Sequence, residues 1–168
     1  VSVLDASVSF SYIEIYGGTH CVNASLSDGS YSLTFDSCLL EEASDPDSKA
    51  HIVVENAIYD VAFTDCHIGV GIGSNAITVN SISSTGTLAL EDTDVAENCN
   101  GVYVEATCGS DMTVSLRYGI VWNSWENGLY AICDESSTCD VSVMDSFFVY
   151  NGTGSTVAPM DGQLPFYE

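Results

Sequence analysis

The chain has 168 residues, 46% of them hydrophobic, and sets 24 Asp and Glu against two basic residues, Lys49 and Arg117, for a formal charge of −22. Two cations cannot build the basic footprint that nucleic acid needs, and no run of about 18 apolar residues offers a membrane-spanning helix. The apolar content suffices for a buried core, which excludes a disordered chain and leaves cations, chiefly Ca²⁺, and neutral molecules as the partners that charge permits.

In chain order, VSVLDASVSF lacks the basic and apolar regions of a signal peptide and instead reads as a strand, with Val1, Val3 and Val8 apolar and Asp5 in a polar slot. Tyr12 to Tyr16 alternates as a second strand that Gly17-Gly18 ends, and Cys21 to Gly29 is expected to be a loop. The next unit, SLTFDSCLL, is followed by EEASDPDSK, Glu41 to Lys49, a polar run that Pro46 marks as a loop. His51 to Val54 resumes a strand, VAFTDCHIGV forms a third unit, and the glycine-rich GVGIGS reads as a turn before the strand Ala76 to Val79.

Thr87 to Asp111, TLALEDTDVAENCNGVYVEATCGSD, is repeated in pattern by Met112 to Asp140. Leu88, Leu90 and Val95 fall on Val114, Leu116 and Val121, and Asn100-Gly101 falls on Asn127-Gly128, where a turn is expected. A sixth unit, VSVMDSFFVYNG, ends in Asn151-Gly152. The last stretch, with Pro159 and Pro165, is expected to be an extended tail over 156–168 that contacts a neighbouring subunit.

Three apolar columns result: Val1, Leu33, Val61, Leu88, Val114, Val141; Val3, Phe35, Phe63, Leu90, Leu116, Val143; and Val8, Leu40, Ile68, Val95, Val121, Phe148. Self-similarity at this period marks a stack of supersecondary units. The repeat and its Asn-Gly dipeptides resemble the right-handed parallel β-helix superfamily, the pectate-lyase-like folds. That resemblance implies an all-β solenoid of about six coils over 1–155, the crossover rule favouring the right-handed sense. A sandwich of antiparallel strands joined by Asn-Gly hairpins is the competing fold.

The polar slot, Asp5, Ser37, Asp65, Asp92, Tyr118 and Asp145, reads first as turn chemistry. Its functional reading is a weak Ca²⁺ site at Asp65 and Asp92 with Glu91 or Asp94 assisting, although no cofactor is required. Among seven cysteines, Cys38 and Cys66 share a slot on successive units and are the first choice of bridge. Cys133 with Cys139 and Cys99 with Cys108 are further candidates, Cys108 with Cys133 competes, and Cys21 remains as an unpaired or intermolecular thiol. His20, His51 and His67 share no metal-binding spacing. Tyr103, Trp122, Trp125 and Tyr130 are candidate glycan-contact aromatics. Asn23-Ala24-Ser25 and Asn151-Gly152-Thr153 are sequons that, with the cysteines, point to a secreted or cell-surface glycoprotein.

Enzymes of the resembled superfamily use basic residues with Ca²⁺ or clustered aspartate motifs, and this chain carries neither pattern. No catalytic residue is assigned, although carboxylates drawn from Asp92, Asp94 and Glu97 would be the place to look. A repeat that starts at Val1 and the likeness of VSVLDASVSF to VSVMDSFFVY suggest that one copy continues another's stack. The expected function is therefore a structural subunit assembling head to tail into an extracellular fibre or sheath, with itself and covalent N-glycans as partners and no membrane insertion. A carbohydrate-binding or carbohydrate-cleaving module is the alternative.

Overall fold

The computed structural model describes residues 1–17, 19–41, 48–69, 75–96, 98–149 and 151–152, and the backbone of 156–158. Its strands come in triplets, one triplet per coil. They are β1 (Ser2–Leu4), β2 (Val8–Ser11) and β3 (Glu14–Tyr16); β4 (Val22–Ser27), β5 (Ser30–Asp36) and β6 (Leu39–Glu41); β7 (Ser48–Glu55), β8 (Ile58–Thr64) and β9 (His67–Gly69). Then follow β10 (Asn75–Ile82), β11 (Thr85–Glu91) and β12 (Asp94–Ala96); β13 (Asn100–Thr107), β14 (Asp111–Arg117) and β15 (Ile120–Trp122); β16 (Asn127–Cys133), β17 (Thr138–Met144) and β18 (Phe147–Val149); and β19 (Thr156–Ala158).

First members form sheet A, β1-β4-β7-β10-β13-β16-β19; second members form sheet B, β2 to β17; third members form the short sheet C, β3 to β18. Every pairing among the described strands is parallel, so the fold is an all-β parallel solenoid of about five turns and the antiparallel sandwich is ruled out.

The apolar columns become the core. Leu33, Val61, Leu88 and Val114 stack in sheet B beside Phe35, Phe63, Leu90 and Leu116, facing Leu40, Ile68, Val95 and Val121 of sheet C, all nearly inaccessible to water. Phe10, Phe35 and Phe63 form a ring stack, with centroids 5.0 and 4.6 Å apart. Offset stacking of this kind adds to simple area burial.

The first unit is corrected by one strand. Val8 pairs with Leu33, Phe10 with Phe35 and Ile15 with Leu40, so the true column heads are Val8, Phe10 and Ile15. Val3 instead pairs with Ala24 in sheet A. Any apolar-x-apolar strand fits a period-two template, and Val1-Ser2-Val3 imitated the sheet-B signature from the sheet before it.

The polar slot is the B-to-C turn. Tyr12, Ser37, Asp65, Asp92, Tyr118 and Asp145 all hold left-handed backbone, with φ between 49 and 56°. Asp and Ser tolerate that region better than most residues because their side chains satisfy local backbone. Asp5 belongs to a second left-handed column, the A-to-B turn, with Asp28, Asn56, Ser83 and Cys108.

Asn100-Gly101 and Asn127-Gly128 are not turns but the opening residues of β13 and β16. The glycines serve close approach, because a Cβ on Gly101 would meet the Gly128 carbonyl and, at 2.6 Å, Val121 Cγ1. Thr156 pairs with Tyr130, which places Asn151-Gly152 two positions out of that column.

Three boundaries also move. The loop expected at Cys21 to Gly29 contains β4, Lys49 lies inside β7, and Thr156–Ala158 adds a strand to the chain's own sheet A, carrying the solenoid past 155. The GVGIGS turn at 70–74, Glu97 and the tail at 159–168 lie outside the described residues.

Candidate functional site

The B-to-C turns and sheet C border an open groove of about 630 Å³. Glu14, Asp65, Asp92, Asp94 and His67 line it, with Tyr12 at its foot. Strand pairing sets His67 beside Asp94 on the outer face of sheet C and Glu41 diagonally below. His67 Nδ1 lies 3.1 Å from Asp94 Oδ2, and its Nε2 lies 3.5 Å from Glu41 Oε1. The other Asp94 oxygen accepts a 2.8 Å hydrogen bond from Trp122 Nε1. One chain of polar contacts therefore runs Glu41, His67, Asp94, Trp122 across four coils.

Tested as a calcium cage, the expected ligands do not converge. Asp65 and Asp92 sit on successive exposed turns, Asp65 Oδ2 accepts from Ser37 Oγ at 3.1 Å, and both Asp94 oxygens are engaged. Glu91 belongs to sheet B, paired with Arg117. Among the described residues no group of three or more His, Cys, Asp and Glu could hold a metal ion. Ca²⁺ normally draws six to eight oxygens together, and two carboxylates in water fall short of that.

Cysteine placement separates the bridge candidates. Cys133 and Cys139 are bonded, with Cα atoms 6.1 Å apart, and close the loop between β16 and β17. Within that loop Asp134 accepts from the Cys108 and Ser136 amides and from the Ser136 hydroxyl at 2.7 to 3.0 Å, and hydrogen bonding, led by the Ser137 hydroxyl, pulls its carboxyl down to about 2.

Cys38 and Cys66 share a slot as expected but are free thiols. Each donates instead to backbone. Cys38 Sγ points to the carbonyls of Phe10 and Asp36, and Cys66 Sγ to those of Phe35 and Thr64. Cys99 and Cys108 stand at opposite ends of the eight-residue β13, roughly 26 Å of extended chain, so they cannot bridge. Cys21 is free but fully buried, its thiol directed at the Ile15 and Glu41 carbonyls, which removes it as an intermolecular linker. Cys108 is the exposed thiol.

On the outer face of sheet A, Tyr103 and Tyr130 stack with centroids 5.6 Å apart. Trp122 lies on sheet C and exposed Trp125 in the loop leading to β16, so the four aromatics do not share one face. Two further features of this region leave no mark in the sequence. Asn75, Asn100 and Asn127 form an amide ladder, with Asn100 donating to Asn75 and Asn127 to Asn100, each at 2.8 Å. His20 and His51 meet edge to face at 5.2 Å. Only the strand register, which sets coils of unequal length side by side, reveals either.

The sequons differ. Asn23 is exposed on the outer face of β4. Asn151 is half-buried, and its Nδ2, the atom a glycan would take, donates to the Val121 carbonyl while its Oδ1 accepts from the Ser124 amide, both at 3.0 Å. The sequence marked the two as equivalent because a triplet carries no orientation.

Lys49 is the largest departure from expectation. The register Ala50↔Ile77 sets it beside Ala76 at the corner where sheet C passes into sheet A, and its side chain is fully buried. Its Nζ donates to Asn98 Oδ1, and Asn98 Nδ2 donates to the Ala96 carbonyl. Burial lowers the Lys49 amine to about 8.

These features define the class as a parallel β-solenoid with internal polar ladders. Comparison with protein-family models, curated proteins and solved structures finds no match for this chain.

Proposed function

We propose that this chain is a secreted or cell-surface structural subunit of the right-handed, pectate-lyase-like kind, which extends its stack head to tail into a fibre or sheath. The observation that carries this reading is the form of the two end coils. β2 and β3 edge sheets B and C at one end and β17 and β18 edge them at the other, all running in the same direction. In sheets B and C one end therefore matches the other strand for strand, while β19 carries sheet A one strand further. Leu4 and Phe147, 74% and 65% exposed, stand on the outer faces of the end strands, whereas Val143, an inward position of the last sheet-B strand, is itself 42% exposed. The inward column is 4% exposed at Leu116 and 42% at Val143, a surface that coils of the same cross-section fit.

The likeness of VSVLDASVSF to VSVMDSFFVY no longer contributes, since Ser2–Leu4 lies in sheet A and Val141 to Met144 in sheet B. Secretion is supported by the Cys133–Cys139 bridge and the open Asn23 sequon. The high negative charge keeps subunits apart at low salt and admits end-to-end contact once ions screen it. Electron microscopy of the purified protein across a salt series tests the proposal, with rods one solenoid wide as the expected product.

A second reading, a carbohydrate-binding face, is favoured by the Tyr103–Tyr130 stack on the outer face of sheet A, which offers flat rings to a sugar. Glycan-array binding that Tyr103→Ala and Tyr130→Ala both abolish supports it, and an array without any hit disposes of it.

A further inference from the structure

The A–C corner brings an amine and a carboxamide together in a dry interior. Lys49 and Asn98 are 0% and 1% exposed, and Lys49 Nζ touches Asn98 Oδ1 across 49 residues of sequence. A carbonyl is about 1.2 Å long, so that contact leaves Nζ within van der Waals reach of the Asn98 carbonyl carbon. Reacting atoms held about 3–3.5 Å apart form a near-attack arrangement once their orbitals align, which here needs the amine to turn its lone pair from the amide oxygen to the carbon beside it. Asn98 Nδ2 donates to the Ala96 carbonyl, which fixes the plane of the amide and keeps its oxygen turned toward Lys49. The small side chain of Ala76, next to Lys49 in the register, leaves the lysine stem room to reach past one coil.

We propose that Lys49 and Asn98 join in an intramolecular isopeptide bond, a covalent strut inside the solenoid. In the step, the Nζ lone pair of the neutral amine attacks Asn98 Cγ, the bond from Cγ to Nδ2 breaks, and one Nζ proton passes to the departing nitrogen. The products are a secondary amide and one ammonia, with no oxidant or reductant consumed. Only the neutral amine is a nucleophile, and burial places the Lys49 amine at about 8, so near neutral pH a usable fraction is uncharged. The new bond ties β7 to the turn before β13, skipping β10 between them. Two coils that otherwise meet only through an intervening one become directly connected. This inference stands apart from the assembly proposal, because the strut lies within one chain.

The test is the mass of the full chain, reduced and denatured, followed by peptide mapping. The bonded protein is lighter than its sequence by one ammonia, and digestion yields a branched peptide joining the Lys49 and Asn98 segments. Lys49→Arg and Asn98→Ala each restore the sequence mass. The fraction bonded during refolding rises as the buffer is moved from below to above pH 8. Should either variant fail to fold, the branched peptide in the unaltered chain decides alone. Full sequence mass after incubation at pH 9 overturns the proposal. So does an ammonia loss confined to a succinimide at Asn98, which leaves Lys49 in a linear peptide.

Discussion

Cys66 and Thr93, one coil apart in the same slot, make the same two hydrogen bonds. Cys66 Sγ shares its one proton between the carbonyl two residues back, Thr64, and that of Phe35 on the coil below; Thr93 Oγ1 shares its own between Glu91 and Phe63. The thiol thus does a hydroxyl's work at the B-to-C corner, and Ser146 Oγ, bonded to the Met144 carbonyl, belongs to the same series.

That equivalence predicts that Cys66→Thr is tolerated, whereas Cys66→Val, which keeps the shape and loses the donor, costs about 1 kcal/mol in urea unfolding. Burial, the largest cause, raises the Cys66 thiol to about 11 from 9.0. The unfolded chain therefore releases its proton first, and stability falls as pH rises through the window from about 9 to about 11, by on the order of 2 kcal/mol. Unfolding curves at pH 8 and pH 11 for the unaltered chain and for Cys66→Thr check this, since the substitution removes that part of the slope.

Phe35 lies between Phe10 and Phe63 in the ring stack and is buried, whereas Phe10 sits half-buried in the first coil. Phe35→Ala is expected to cost about 3–5 kcal/mol and Phe10→Ala clearly less. Equal losses in chemical denaturation would mean that the first coil is packed as tightly as the second.

Expression in a glycosylating host should give a single occupied sequon. Asn23→Gln removes the glycan, seen as one shift in gel mobility. Asn151→Gln leaves the glycan in place but lowers stability by about 1 kcal/mol, because it disturbs the bonds to Val121 and Ser124. A glycan found on Asn151 would show that the last coil opens before or during modification.

Asp94 ties His67 to Trp122 on sheet C. Asp94→Ala is expected to shift Trp122 emission and to cost about 1 kcal/mol, since the pair is only half-buried. Asp65→Ala, on an exposed turn, should leave that emission unchanged.

The stack was legible because hydrophobic periodicity survives at Leu88, Leu90 and Val95 and their counterparts, where two sheets each bury alternate residues. The first coil was misread because Val1 to Leu4 alternates just as β2 does, and periodicity alone does not say which sheet a strand joins. The corner at Lys49 was illegible for a different reason. There consecutive residues, Ser48, Lys49 and Ala50, are all buried, so a lysine beside an acidic run looked like part of a loop. The polar ladders of Asn75, Asn100 and Asn127 likewise depend on register across loops of unequal length, which composition does not encode.

In the proposed assembly the end coils complete one another between copies. Negative-stain imaging with sedimentation velocity, over increasing protein concentration at physiological and at high salt, tests it most directly. Rods should form whose axial repeat is six to seven strand spacings, roughly 29–34 Å. Val143→Asp, aimed at the open end of the core column, should stop growth at the single subunit while circular dichroism keeps its β signature. A monodisperse single subunit at millimolar protein and high salt, indistinguishable from Val143→Asp, would contradict the account.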